Sequence, residues 1–113
     1  MIEEYSFGTI KISGKIYKSD LIVGKEVINQ RWWRKQGHKV QLEDIPEILN
    51  KKPEVVIFGT GANGKLVVDG KVVDELKKIG CEVVIARSDE AVKKFNELLK
   101  AEKDVVLAIH LTC

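Results

Sequence analysis

Three glycines spaced Gly59-x-Gly61-x-x-Gly64, with Lys65 directly after them, form the pattern that points most directly to chemistry. Glycine tolerates φ > 0 and lets backbone approach a ligand closely, so such a loop is a candidate phosphate cradle. Two known signatures fit in part, the dinucleotide fingerprint and the P-loop. The fingerprint needs its third glycine to open a helix aimed at the pyrophosphate. Here Leu66-Val67-Val68 follows and favours extended chain, with the next helix expected only after Asp69. The acidic ribose partner is also missing, since the next strand ends in Ala86-Arg87-Ser88. The P-loop needs Ser or Thr after its lysine to hold magnesium, and Leu66 stands there. Neither cofactor is therefore expected. The loop reads as a tight turn at the carboxyl end of a strand, where open α/β sheets bind ligands and a small anion fits.

The remaining reactive side chains are His38, His110, Cys81 and Cys113. Their spacing offers no paired Cys-x2-Cys or His-x3-His element, so no metal is expected. Cys81 opens an apolar run and reads as a small core residue. Cys113 with His110 or His38 is a conceivable nucleophile–base pair, provided that its segment is tied down. In Arg31-Trp32-Trp33-Arg34-Lys35, tryptophan and arginine are common anchors for a protein partner. The plainer alternative is a core tryptophan with the charges as a solvated rim; one tryptophan is expected inside and its neighbour exposed.

Bulk composition narrows the setting. The 113 residues suit one domain, residues 1–113, and 44% hydrophobic content supports a packed core. A net charge of +2 is too balanced to predict nucleic-acid binding. No apolar run is long enough to span a membrane, and Met1-Ile2-Glu3-Glu4 lacks the features of a signal peptide. Two cysteines are too few for a disulfide framework, so a reducing cytoplasm is the expected location. Abundant Lys and Glu point towards a thermophile.

The elements that must position these residues follow from periodicity. Ser6 to Val23 predicts a β-hairpin turning at Ser13-Gly14, with an extension through Leu21-Ile22-Val23. Lys25 to Val40 has no clear period. A helix is expected over about Leu42–Lys51, with Ile45, Ile48 and Leu49 inward and Pro46 in its first turn. Val55–Phe58 predicts a strand buried on both faces. A second helix over about Lys71–Ile79 turns Val72, Val73, Leu76 and Ile79 inward and stops at Gly80. Cys81–Ala86 is a strand. Ser88 or Asp89 caps a third helix through about Glu102, and Val105–Ile109 is the last strand. Alternating β and α elements predict a three-layer α/β/α domain around a central mixed, largely parallel sheet, with an N-terminal antiparallel β-hairpin.

Certain residues also carry a family likeness. They are Phe7-Gly8-Thr9-Ile10-x-Ile12-x-Gly14, Tyr17, Asp20, Trp33, Gly37-His38, Pro53-Glu54 and Phe58-Gly59-Thr60-Gly61. Ala91-Val92, Asn96-x-Leu98 and Ala108-x-His110-Leu111-Thr112-Cys113 complete the set. The chain thus resembles, over nearly its full length, a family of small, mostly uncharacterised archaeal, bacterial and eukaryotic proteins. That family includes the vertebrate adipogenesis-associated domain protein and, more distantly, a mitochondrial complex I assembly factor. The resemblance implies the same three-layer fold and supplies no reaction. It also implies that the residues ending in Cys113 are a regular signature. The chain departs from the family pattern at Phe95, where Tyr is common, and at Ala101-Glu102-Lys103-Asp104 in place of Glu-Gly-Arg.

The expected function is a non-catalytic binding or assembly-type domain, with Trp32, Trp33, Arg34 and His38 as its interaction surface. The alternative is a pocket for a small anionic ligand, built from Gly59, Thr60, Gly61, Gly64, Lys65, Arg87, His110 and Cys113. A hydrolase or transferase using Cys113 and His110 there is the third reading. The partner is a protein or a small anion, and the chain is a monomer or homodimer.

Overall fold

A computed structural model describes residues 1–113. In chain order the elements are β1 (Ile2–Ser6), β2 (Thr9–Ile12), β3 (Lys15–Tyr17), β4 (Leu21–Val23), β5 (Val27–Asn29) and β6 (Lys39–Val40). They continue with a 3-10 turn (Leu42–Asp44), α1 (Pro46–Lys51), β7 (Val55–Thr60), β8 (Val67–Val68) and α2 (Gly70–Lys78). Last come β9 (Glu82–Ala86), α3 (Ser88–Lys100) and β10 (Val105–His110).

The central sheet runs β5-β4-β10-β7-β9. β10, β7 and β9 are mutually parallel, while β4 and β5 run antiparallel to their neighbours. Side chains alternate across a strand, so each continuous apolar run feeds two cores. Val55, Ile57, Val105, Leu107 and Ile109 face one side, where they meet Ala91, Val92 and Phe95 of α3 and Ile2, Ile10 and Ile12 of the first hairpin. Val56, Phe58, Val106 and Ala108 face the other, against Ile45 and Ile48 beside α1 and Val72 and Leu76 of α2. The three-layer α/β/α arrangement expected from the sequence is what forms.

β1, β2 and β3 make their own antiparallel sheet beside α3. The β2–β3 turn falls at Ser13-Gly14 as expected, with φ of +47° and +84°. Asn96 of α3 ties the layer down by accepting from the Ile2 N–H (3.0 Å) and donating to the Ile2 carbonyl (2.8 Å). Asn96→Ala strands both backbone groups, and a loss of about 1–2 kcal/mol is expected in urea unfolding.

Several boundaries differ from expectation. The residues over Leu42–Lys51 form two pieces, because the residue before a proline avoids the helical region. Ile45 sits at φ −129°, ψ 41°, and Pro46 then opens α1 from its first position. Hairpin pairing begins at Ile2 rather than Ser6, with the charges of Glu3 and Glu4 masking the strand. The segment without a period supplies β5 and β6. Ile79 lies beyond the end of α2 and is exposed. α3 ends at Lys100, and its cap position is Arg87, with Ser88 inside the helix. Ser88 does not cap its own helix because its hydroxyl is engaged elsewhere, as described next. No helix is long and apolar enough to cross a membrane.

Candidate functional site

Parallel β7, β9 and β10 end together at Thr60, Ala86 and His110. Parallel pairing in register, His110 beside Thr60 and Ala86 beside Gly59, brings the glycine loop and the residues after His110 onto one end of the sheet. Gly59 is glycine because Ile109 of β10 and the start of α3 close over it. A Cβ there would lie 2.9 Å from Ile109 Cγ1 and 3.1 Å from Ser88 Oγ. Ser88 then pins the turn, since its Oγ accepts from the Gly61 N–H (2.9 Å) and donates to the His110 carbonyl.

The loop amides have partners within the chain. Ala62 N–H donates to the Thr112 carbonyl (2.7 Å), and the N–H groups of Asn63 and Lys65 both donate to the Cys113 carbonyl (3.1 Å each). The same tail is held from the other side. Gly8 N–H and Tyr5 Oη each donate to the Leu111 carbonyl at 2.9 Å. Burial raises the Tyr5 phenol above its ordinary value; a hydrogen bond with Ser88 opposes the rise, and the Asp89 and Asp20 carboxylates add to it. The segment expected to fray unless anchored is therefore tied down by two loops. The concave feature that the glycines make is a nest of amides filled by residues 112 and 113.

Beneath the tail lies a charged cluster. Asp20 Oδ2 accepts from Arg34 Nη2 (2.7 Å) and stands 2.7 Å from His110 Nδ1, while its Oδ1 accepts from the Leu111 N–H (2.7 Å). Arg34 stacks on the Trp32 ring, with 4.5 Å from Cζ to the ring centre, and donates to the Gly37 carbonyl through Nε and Nη2. Trp32 is 4% exposed and donates to the Asp44 carbonyl. Burial by itself would raise the Asp20 carboxyl, but the bonds from His110, the Leu111 amide and Arg34 outweigh it and hold the group below the ordinary aspartate range. An ionised Asp20 accepts only, which places the His110 proton on Nδ1. His110 Nε2 then faces Thr112 Oγ1 at 3.4 Å, and the exposed His38 ring stands edge-on to His110 with centroids 5.5 Å apart.

Of the expected pocket residues, Gly59, Thr60, Gly61 and His110 are buried, Cys113 is half-buried, and Gly64, Lys65 and Arg87 are exposed. All lie at this one end of the sheet. Cys113 reaches the loop through its carbonyl, whereas the side-chain partners of His110 are Asp20 and Thr112. Among the surface residues the expectation of one buried and one exposed tryptophan holds, with Trp33 76% exposed. Arg34 corrects the solvated-rim reading: it is buried, because the Trp32 face and the Asp20 carboxylate replace its water. Sequence reasoning assigned no role to Asp20 or Thr112 and gave Ser88 only a capping role. The usable signal for Asp20 was a lone acid directly before the wholly buried β4. The largest open cleft, about 470 Å³, is lined by Gln41, Leu42, Glu43, Asp69 and Lys71, none of them in either expected set.

Fold and site together define a small α/β/α domain whose glycine loop clasps its own tail over a buried Asp–Arg–His cluster. The chain belongs to the DUF498/DUF598 family, described as "Protein of unknown function", which matches residues 2–110. Among solved structures it is similar to one designated "MT938" (30% identity, covering 100% of this chain and 98% of that one, TM-score 0.81). A conserved hypothetical protein, PH1505 from Pyrococcus horikoshii, is similar at 28% identity, with 100% and 99% coverage and TM-score 0.81. The fold alone is shared with XCC1710 of Xanthomonas campestris, at 18% identity, 98% and 83% coverage and TM-score 0.84.

Proposed function

We propose that this protein is a non-catalytic binding domain of assembly type, which docks a protein partner on the surface around Trp33. The observation that carries this reading is the setting of Trp33. It is 76% exposed, yet its neighbours Trp32 and Arg34 are both locked in the interior. An exposed tryptophan on immobilised backbone loses little freedom on binding, and Trp with Arg is the usual composition of an interface anchor. Arg31 and Lys35 beside it are exposed and favour an acidic partner surface. The resemblance to a family that includes a mitochondrial complex I assembly factor supports the same reading.

The test is affinity capture from native extract with the wild type and with Trp33→Ala. The expected outcome is a stoichiometric partner retained by the wild type and lost by the variant, whose stability stays within about 0.5 kcal/mol of wild type. Recovery of no stoichiometric partner, together with turnover of a metabolite, would overturn the proposal.

A second reading is favoured by one local feature. Lys65 and Arg87 are exposed on the outside of the glycine loop, with Arg87 Nε 3.7 Å from where a Gly64 side chain would begin. Such a pair suits a small acidic ligand, and a rise in melting temperature with phosphates or carboxylates that Arg87→Ala removes would support it.

A further inference from the structure

We propose that the protein self-associates through β9, two copies pairing these strands antiparallel about a two-fold axis normal to the sheet. β9 is the outermost strand of the central sheet and has β7 as its one neighbour. Glu82 N–H donates to the Glu54 carbonyl, so in the parallel ladder residues 82, 84 and 86 turn their main-chain groups towards β7. Val83 and Ile85 turn theirs outward, where neither has a hydrogen-bond partner in the chain.

These outward groups are self-complementary. A two-fold axis normal to the sheet keeps each residue on its own face, so it permits only registers in which a residue lies opposite itself. Setting Val84 opposite its own copy pairs Val83 with the copy's Ile85 at both ends. Every outward N–H and C=O of the strand is then used, giving four new hydrogen bonds. The side chains agree with this register. Ile85 is 49% exposed and shares a face with Val83, so each end of the junction gains an apolar cross-strand pair. Glu82 falls opposite Ala86, and no like charges oppose one another.

The other outer strands of the two larger sheets are protected in ways β9 is not. β5 has three residues, an irregular register and the charges of Lys25 and Glu26 before it. β3 opens with Lys15 and is followed by Lys18, while β1 carries Glu3 and Glu4. β9 holds five residues with no lysine, proline or bulge, which leaves an edge open to pairing.

The experiment measures the mass of the full chain in solution by light scattering over rising concentration. The wild type is expected to approach twice the chain mass, and Ile85→Lys to return it to the single-chain value with its circular dichroism intact. Val84→Cys gives a second reading independent of that variant. Opposed Cα atoms in the narrow antiparallel pair lie about 4.5 Å apart, within disulfide reach. Under mild oxidation Val84→Cys should therefore form a covalent dimer. Val83→Cys, whose copy lies diagonally across, should form several-fold less, and oxidised wild type serves as control for Cys81 and Cys113. A single-chain mass at every concentration overturns the proposal. So does a dimer that Ile85→Lys leaves intact and Val84→Cys fails to cross-link.

Discussion

Asp20→Ala should lower stability by about 3–5 kcal/mol, the range for removing one partner of a buried ion pair. Arg34 would be left charged in an interior site with its side chain 6% exposed, and the Leu111 N–H would lose its acceptor. Urea unfolding at neutral pH measures the loss. The variant also carries a pH signature with a definite sign. Asp20 is held below its ordinary pKa of 3.8 in the folded state, so the unfolded chain binds the proton more readily. Its stabilisation is complete above the ordinary aspartate range and is lost as pH falls through that range and below. The gap between wild type and Asp20→Ala should therefore be widest near neutrality and narrow in acid. A gap that stays constant down to pH 2 would show that the carboxylate charge is not what holds the cluster.

Gly61→Ala is the second large expected effect, and its mechanism is different. Gly61 has φ of +97°, and a Cβ there would stand 2.3 Å from the Cys113 carbonyl carbon and 2.6 Å from its oxygen. Backbone atoms cannot swing aside as a flexible side chain does. The strained conformation and the overlap together predict a loss of about 2–5 kcal/mol. The tail should also leave its nest, so amide exchange at Ala62, Asn63 and Lys65 should accelerate and the Cys113 thiol should alkylate faster. Gly64→Ala is the control. Its φ is +70°, but the nearest atom to a new Cβ is 3.6 Å away, so it bears the conformational cost of about 1–2 kcal/mol with the tail still docked. Equal thiol reactivity in the two variants would separate the tail from the glycine at position 61.

Legibility in the sequence followed how local the cause was. Val55–Phe58 was readable because burial on both faces leaves an unbroken apolar run. The Ser13-Gly14 turn was readable because its backbone needs positive φ at both residues. β1 was hidden because Glu3 and Glu4 point to water while Ile2 alone is buried, giving no alternating run long enough to see. β6 and β8 are two residues each and exist through pairing with each other, a contact no local pattern encodes. The site was partly legible for the same reason. The glycine loop announced itself, but its occupant is a tail some fifty positions downstream whose backbone carries no residue-specific mark. Asp20, Arg34 and His110 are also distant in sequence, and the fold alone brings them together. Arg34 looked like a surface charge because its counterion Asp20 lies fourteen positions away, although its stacking partner Trp32 is only two positions off.

The position of β10 in the sheet bears on how the chain comes to be folded as it is made. β10 lies between β4 and β7, which have no ladder to each other, so Leu107 must meet both Val23 and Ile57. A nascent chain that has emerged only through α3 holds two apolar strands with nothing between them, and the ordering cost of closing such distant contacts falls late. Until residues 105–110 insert, the edges of β4 and β7 stay unpaired and should be open to strands of other chains. Chaperone occupancy during synthesis should therefore persist past α3 and end when β10 inserts.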